Sequence, residues 1–205
     1  NRVFIPFQGS ADHEGGSFIT TSNESYDSAN LSIKTFVKNE SAVSQKCTLE
    51  ISILGPSGNL VETIRKEQDL PVGTLETFVE RTVLKKPQLW SPEAPHLYKA
   101  VISVIVNGKL SDTYQSHFGV RWYRWDKKEN ALYLNDQKVN IKGTNRHQEY
   151  PWLGDAIPRF ITTSDMLDIR VNLGHNFMRA GHYINDPYLY HLADSLGVIM
   201  VEEVP

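Results

Sequence analysis

The sequence predicts a β-sandwich followed by an α/β segment built on parallel strands, and three observations carry that reading. Apolar and polar residues alternate with period two through roughly the first 120 residues, the mark of strands with one buried face. Beyond Trp125 the apolar spacing changes to that of helices interleaved with short strands. Turn clusters divide the first region at the intervals of a sandwich, and no glycine-rich phosphate loop follows any strand of the second.

The elements follow in order. A first strand is predicted near Phe18 to Thr21. Leu31, Ile33, Thr35 and Val37 alternate with Ser32, Lys34 and Phe36, and Cys47, Leu49, Ile51 and Ile53 alternate with Thr48, Glu50 and Ser52. Gly55-Pro56-Ser57-Gly58-Asn59 is a turn cluster, after which Leu60, Glu62 and Ile64, then Leu75 to Val83, continue the pattern. Val101 to Val106 is apolar almost throughout and predicts a strand buried on both faces. Asn107-Gly108 supplies the left-handed backbone of a two-residue hairpin, with a return strand from about Leu110 to Phe118. About seven such strands fit an immunoglobulin-like sandwich.

Leu132 to Ile141 predicts another hairpin, turning at Asn135-Asp136. A helix should follow, started by a loose capping box at Thr162 and Asp165, with Met166, Ile169 and Leu173 on one face and Gly174 at its end. Asn176 to Arg179 predicts a short strand. Asp186-Pro187 is a helix start, Leu189, Leu192, Ala193 and Leu196 its apolar face, and Gly197 its stop. Val198 to Val201 predicts a buried parallel strand. Three such strands begin either a doubly wound sheet or a (β/α)8 barrel, and the predicted domain division is 1–121 and 122–205.

Composition narrows the function classes. The 205 residues carry 21 Lys+Arg against 24 Asp+Glu, a net charge of −3 that argues against a nucleic-acid partner. No apolar run approaches the about 20 residues of a membrane span. The single cysteine, Cys47, excludes an internal disulfide framework and reads as a small core residue. It fits cytoplasm, periplasm or secretion alike, so localisation is left open. A sandwich plus a complete barrel does not fit this length, because the barrel alone takes about 250 residues.

Polar residues gather past the carboxyl end of each predicted parallel strand: Asn145, Arg146, His147 and Glu149, then Arg179 and His182-Tyr183, then Glu202-Glu203. In parallel α/β folds ligands bind at these ends, so the three clusters point to one pocket. His147 and His182 lack the spacing of a zinc motif, and no metal site is assigned. Trp90 reads as a structural plug, and Trp152 as a candidate platform for a sugar ring. Adjacent strand residues face opposite ways, so Glu202 and Glu203 cannot be the two opposed carboxylates of a glycosidase.

Asn176-Phe177-Met178-Arg179-Ala180-Gly181-His182-Tyr183, followed by Asp194, Gly197 and Val198 to Val201, closely resembles a signature of glycoside hydrolase family 2. Gly143 to Pro151 resembles the family's segment after the first barrel strand, and Leu89-Trp90-Ser91-Pro92 with Phe118-Gly119-Val120-Arg121 its junction between sandwich and barrel. Ile184 departs from the family's usual proline, and Ala180-Gly181 from its usual Ser or Thr pair.

The resemblance implies an immunoglobulin-like β-sandwich followed by the first three β/α units of a TIM (β/α)8 barrel. It implies sugar contacts from His147 and His182, support of the nucleophile by Arg179, and, through Asn145-Arg146-His147, the β-galactosidase version of the site. The retaining reaction needs two glutamates, which the family places after the fourth and seventh barrel strands. Both would lie beyond Pro205, so none of this chain's residues is expected to be catalytic and the chain alone is expected to be inactive. No cofactor is implied for the chain; a metal ion is implied for a longer parent where the family carries one. The implied partner is a β-linked oligosaccharide or glycoside, and exposed strand edges suggest a homo-oligomer. A carbohydrate-binding or interaction module without catalysis, and a purely structural sandwich, are the competing readings.

Overall fold

The computed structural model describes residues 2–7 and 15–203. Internal contacts divide the chain into two units: Asn1–Gln88 with Leu97–Val120, and Leu89–His96 with Arg121–Pro205.

The first unit is two antiparallel sheets. One is centred on β3 (Ser28–Asn39), which takes β1 (Val3–Phe4) and β2 (Ser17–Ser22) along one edge and β6 (Leu75–Lys85) along the other. The second runs β5 (Leu60–Leu70), β4 (Gln45–Leu54), β7 (Tyr98–Val106), β8 (Lys109–Phe118). The alternation seen in the sequence sets the core: Leu31, Ile33 and Val37 of β3 and Cys47, Leu49, Ile51 and Ile53 of β4 are buried. Burial pushes the Cys47 thiol up to about 11. Asn107 and Gly108 both take the left-handed backbone that joins β7 to β8. Buried Asn39 is satisfied locally, its amide donating to the carbonyls of Leu70 at 2.8 Å and Pro71 at 3.1 Å while its Oδ1 accepts from the Ser41 amide at 2.9 Å. One expectation is corrected: β7 is not buried on both faces. Ala100, Ile102 and Val104 are buried, but Val101, Ser103 and Ile105 are only partly covered, because β4 and β8 flank the strand without roofing its outer side.

The second unit opens with a small antiparallel sheet, β9 (Tyr123–Asp126), β10 (Ala131–Leu134) and β11 (Gln137–Lys138), turning at Asn135-Asp136 where both residues have positive φ. A parallel sheet follows, ordered β12 (Gly143–Arg146), β13 (Phe177–Ala180), β14 (Ile199–Val201). Helix α1 (Arg159–Leu167) connects β12 to β13, and α2 (Pro187–Leu196) connects β13 to β14. Met166, Ile169, Met178, Leu189, Ala193 and Val198 form the core between helices and sheet.

Helix α2 starts and stops as its sequence dictates. The Asp186 carboxylate accepts from the Tyr188 amide at 2.7 Å, Pro187 follows, and Gly197 closes the helix at φ 76°. A Cβ on Gly197 would stand 2.3 Å from the Pro92 carbonyl oxygen, so the close approach also requires glycine. Helix α1 differs from expectation. It begins at Arg159 after Pro158, with Thr162 buried inside it, so Thr162 and Asp165 are not a capping box. It ends in a π turn, Asp168–Asn172, whose wider turn rotates Leu173 off the apolar face to 59% exposure. The last strand is also less buried than its sequence suggests: Val198 is covered, but Val201 is 44% exposed, since β14 has a neighbour on one side only among the described residues.

Segment 89–96, expected within the first domain, groups with the second unit. Trp90 is 2% exposed, its indole N–H donates to the Asp194 carbonyl at 2.7 Å, and its own carbonyl accepts from Asn135 at 3.0 Å. The Arg121 guanidinium lies 4.7 Å over its ring, and Arg170 donates to the Pro92 carbonyl at 2.6 Å.

Candidate active site

Register decides which side chains meet at the carboxyl edge of the parallel sheet. Asn145 pairs with Arg179, Arg179 with Val201, and Arg146 with Ala180. Paired residues in neighbouring strands share a face, and alternate residues along a strand do too. Asn145, Arg179 and Val201 therefore lie on one face, here called the inner face. Arg146 and Ala180 lie on the outer face, toward the helices. The sequence reading placed Asn145 and Arg146 past the strand end; they are instead its last residues, because the strand starts at Gly143 rather than running on from the hairpin. Asn176 sets that start: its side chain accepts from the Lys142 amide at 2.9 Å and donates to the Asn140 carbonyl at 3.0 Å.

On the inner face Arg179, His182 and Glu203 form one cluster. Arg179 Nε donates to Glu203 Oε1 at 2.6 Å and its Nη2 lies 2.5 Å from the same oxygen. His182 Nδ1 stands 2.7 Å from Glu203 Oε2 and 2.9 Å from Arg179 Nη2. The His182 bond, then the bond and charge of Arg179, hold the Glu203 carboxyl below its ordinary range. His147 completes the group, its ring meeting that of His182 edge-on with centroids 5.0 Å apart. The Gly181–His182 peptide bond is cis. A Cβ on Gly181 would lie 3.5 Å from Arg179 Nη1 and 3.6 Å from His147 Nε2, so the absent side chain leaves open space between the two. Asn145, His147 and His182 are all exposed on this side.

Arg146 goes the other way. It is 6% exposed, with Nε donating to Asp165 Oδ2 at 3.1 Å and Nη1 to Asn185 Oδ1 at 3.4 Å. It braces β12 against α1 and the loop before α2, so of the Asn145-Arg146-His147 motif only the outer two face the cluster. Asp165 and Asn185 were missed as its partners, since neither carries a local signal. Gln148 was missed as well. Its amide N–H donates to the Tyr183 hydroxyl at 3.2 Å, its Nε2 to the Asp155 carbonyl at 3.1 Å, and its Oε1 accepts from the Asp186 amide at 2.9 Å. One side chain thus ties the loop after β12 to the loop after β13. Trp152 stands at the tip of the first loop, wholly exposed with a positive φ of 71°.

Glu203 is on the inner face, while Glu202 reaches back to Tyr190 of α2. The two are not an opposed pair. Lower on the inner face the side chains become apolar: Phe177, Ile199 and Val201 line a cavity of about 590 Å³ with Leu132, Ile141 and Trp90. None of the candidate site residues lines it. Among the described residues no three His, Cys, Asp or Glu side chains converge as a metal site, and no helix is long and apolar enough to cross a membrane.

Residues 16–121 match the family described as glycosyl hydrolases family 2, and residues 126–205 match its TIM barrel domain. The chain belongs to glycosyl hydrolases family 2. Its fold is accordingly the family's immunoglobulin-like sandwich followed by the start of the TIM barrel, as the sequence predicted. A β-galactosidase of Bacteroides ovatus is 30% identical over 189 residues, 92% of this chain and 22% of that protein. A β-glucuronidase of Formosa agariphila is 28% identical over 188 residues, 90% of this chain and 19% of that protein. The crystal structure of a Bacteroides uniformis β-glucuronidase superposes with a TM-score of 0.93 at 30% identity, covering all of this chain and 24% of that one. The chain thus spans about a quarter or less of each of these three proteins.

Proposed function

We propose that this chain supplies the first part of the sugar-binding site of a retaining β-glycosidase that hydrolyses terminal β-linked sugars. The observation that supports it is the convergence of Arg179, His182, His147 and Asn145 on one face at the carboxyl end of the parallel sheet, in a family 2 chain. Cationic and hydrogen-bonding groups so placed can hold sugar hydroxyls and orient a carboxylate nucleophile. The reaction needs two carboxyl groups about 5–5.5 Å apart, one as acid/base and one as nucleophile. Glu202 and Glu203 point to opposite faces and are not that pair; the resemblance to the family places both carboxyl groups outside this chain, and the chain alone is expected to be inactive.

Asn145-Arg146-His147 favours a β-galactoside as substrate. A β-glucuronide is the second reading, favoured by relatives of that name at equal similarity. The longer protein encoded by the same gene should be assayed with p-nitrophenyl β-galactoside and β-glucuronide, beside the 205-residue chain. The expected result is turnover of the galactoside by the longer protein, none by the chain, and loss of about 100-fold or more in kcat/KM on His182→Ala or Arg179→Ala. Preferred turnover of the glucuronide would replace the first reading by the second. Binding of glycans without turnover of any β-glycoside would replace both by a non-catalytic module.

A further inference from the structure

Glu203 is not one of the residues to which the sequence gives a role in the site, yet its two oxygens hold the cluster together. Oε1 takes both Arg179 donors, Nε at 2.6 Å and Nη2 at 2.5 Å. Oε2 faces His182 Nδ1 at 2.7 Å. An imidazole nitrogen has a single in-plane position, filled either by a proton or by a lone pair. A lone pair on Nδ1 would accept from Arg179 Nη2 at 2.9 Å but would oppose the acceptor-only carboxylate at 2.7 Å. A proton on Nδ1 gives Oε2 its donor, and Arg179 Nη2 keeps Oε1 as its acceptor. Only the second arrangement satisfies every atom of the cluster. The carboxylate is ionised over the ordinary pH range, since both partners hold its proton affinity down.

We propose that Glu203 is a positioning residue that fixes His182 as the Nδ1–H tautomer, and so presents Nε2 to the substrate as a hydrogen-bond acceptor. In a neutral imidazole the hydrogen bond at one ring nitrogen sets the role of the other. His182 then accepts a hydrogen bond from a sugar hydroxyl rather than donating one to its oxygen, and the same carboxylate holds Arg179 beside it. This assignment rests on the glycosidase reading for its substrate, but the tautomer is a property of the chain itself.

The test therefore begins without turnover. Ring nitrogen shifts of His182 are recorded on the 205-residue chain by two-bond proton–nitrogen correlation at about pH 9, above the ordinary imidazole value. The wild type should be predominantly Nδ1–H. Glu203→Gln keeps the shape, but its amide oxygen must face the Arg179 donors, which turns its NH2 toward Nδ1. The tautomer should then invert to Nε2–H, a change of about tenfold or more in the ratio for loss of a charged hydrogen bond. Glu203→Ala leaves Arg179 alone at Nδ1 and should invert it likewise, whereas Arg179→Ala should keep Nδ1–H. Wild type in the Nε2–H form, or a ratio indifferent to Glu203, overturns the assignment. In the longer protein Glu203→Gln should raise KM by about tenfold or more, with a smaller change in kcat, because a ground-state contact to the sugar is reversed. An unchanged KM with an inverted tautomer overturns the substrate role. Absence of turnover in the wild-type parent, with the tautomer as expected, overturns the glycosidase reading and leaves the chemistry of the cluster standing.

Discussion

The two faces of the parallel sheet use the same residue types for opposite purposes. On the outer face, the one that also carries Met178 of the core against α1 and α2, Arg146 is buried and paired with Asp165 and Asn185. On the inner face Arg179, with a third of its side chain exposed, pairs with Glu203 beside His182. The two arginines occupy adjacent strands one position out of step, since Arg179 pairs with Asn145 and Arg146 with Ala180. The phase of the strand, more than residue type or proximity in sequence, decides which arginine braces the fold and which is available to a ligand.

The contrast is broken or sharpened by substitution, and the largest effect belongs on the outer face. Arg146→Ala leaves the Asp165 carboxylate without its buried partner and removes a packed stem, so unfolding free energy should fall by about 3–5 kcal/mol. Arg146→Met keeps the stem and should cost less. Arg179→Ala, at a semi-exposed pair, should leave the urea midpoint close to wild type. If Arg146→Ala and Arg179→Ala shift the midpoint equally, the division of labour between the faces is wrong. Met178→Ala empties a fully buried site between sheet and helices and should cost about 3 kcal/mol. Gly197→Ala combines a left-handed backbone with a Cβ placed 2.3 Å from the Pro92 carbonyl oxygen, and should cost about 2 kcal/mol by the same urea titration.

How much of this the sequence reveals depends on whether the determining signal is local. The sandwich strands are legible because alternation in Leu31 to Val37 and Cys47 to Ile53 is repeated over long runs. Helix α2 is legible because Asp186, Pro187 and Gly197 act within a few residues of its ends. Helix α1 is not, because Thr162 and Asp165 fit a capping box and also the i,i+3 spacing of one helical face. Pro158 was an equally local start signal, and the π turn that turns Leu173 outward has none. Of the site, Arg179, His182 and His147 are legible from their place beyond apolar strands. The pairing of Arg146 with Asp165 is not, since it spans 19 residues of chain and depends on the phase of a four-residue strand. The role of Glu203 is half legible: alternation allows at most one glutamate of the pair to face the site, and the register of β14 against β13 selects which.

The smallest expected effect separates the inner face by pH. Glu203 has a folded-state proton affinity lowered from the ordinary 4.5, by the His182 bond first and Arg179 next. Below pH 4.5 the unfolded chain therefore binds a proton at this position before the folded one does, and stability falls as pH falls. The contribution is fully present above pH 4.5 and disappears as pH drops through the folded value. Glu67 with Lys46, Asp126 with the backbone amides of Glu129 and Lys128, and Glu129 with Tyr133 and Lys138 bend the whole curve the same way. Those carboxylates are common to wild type and Glu203→Gln, so only the difference between the two stability–pH curves reports Glu203. That difference should shrink as pH falls below 4.5 and through the folded value of Glu203. A difference that stays constant across the acid range would mean that Glu203 is not ionised against His182 and Arg179, and would remove the charge on which the inner face is organised.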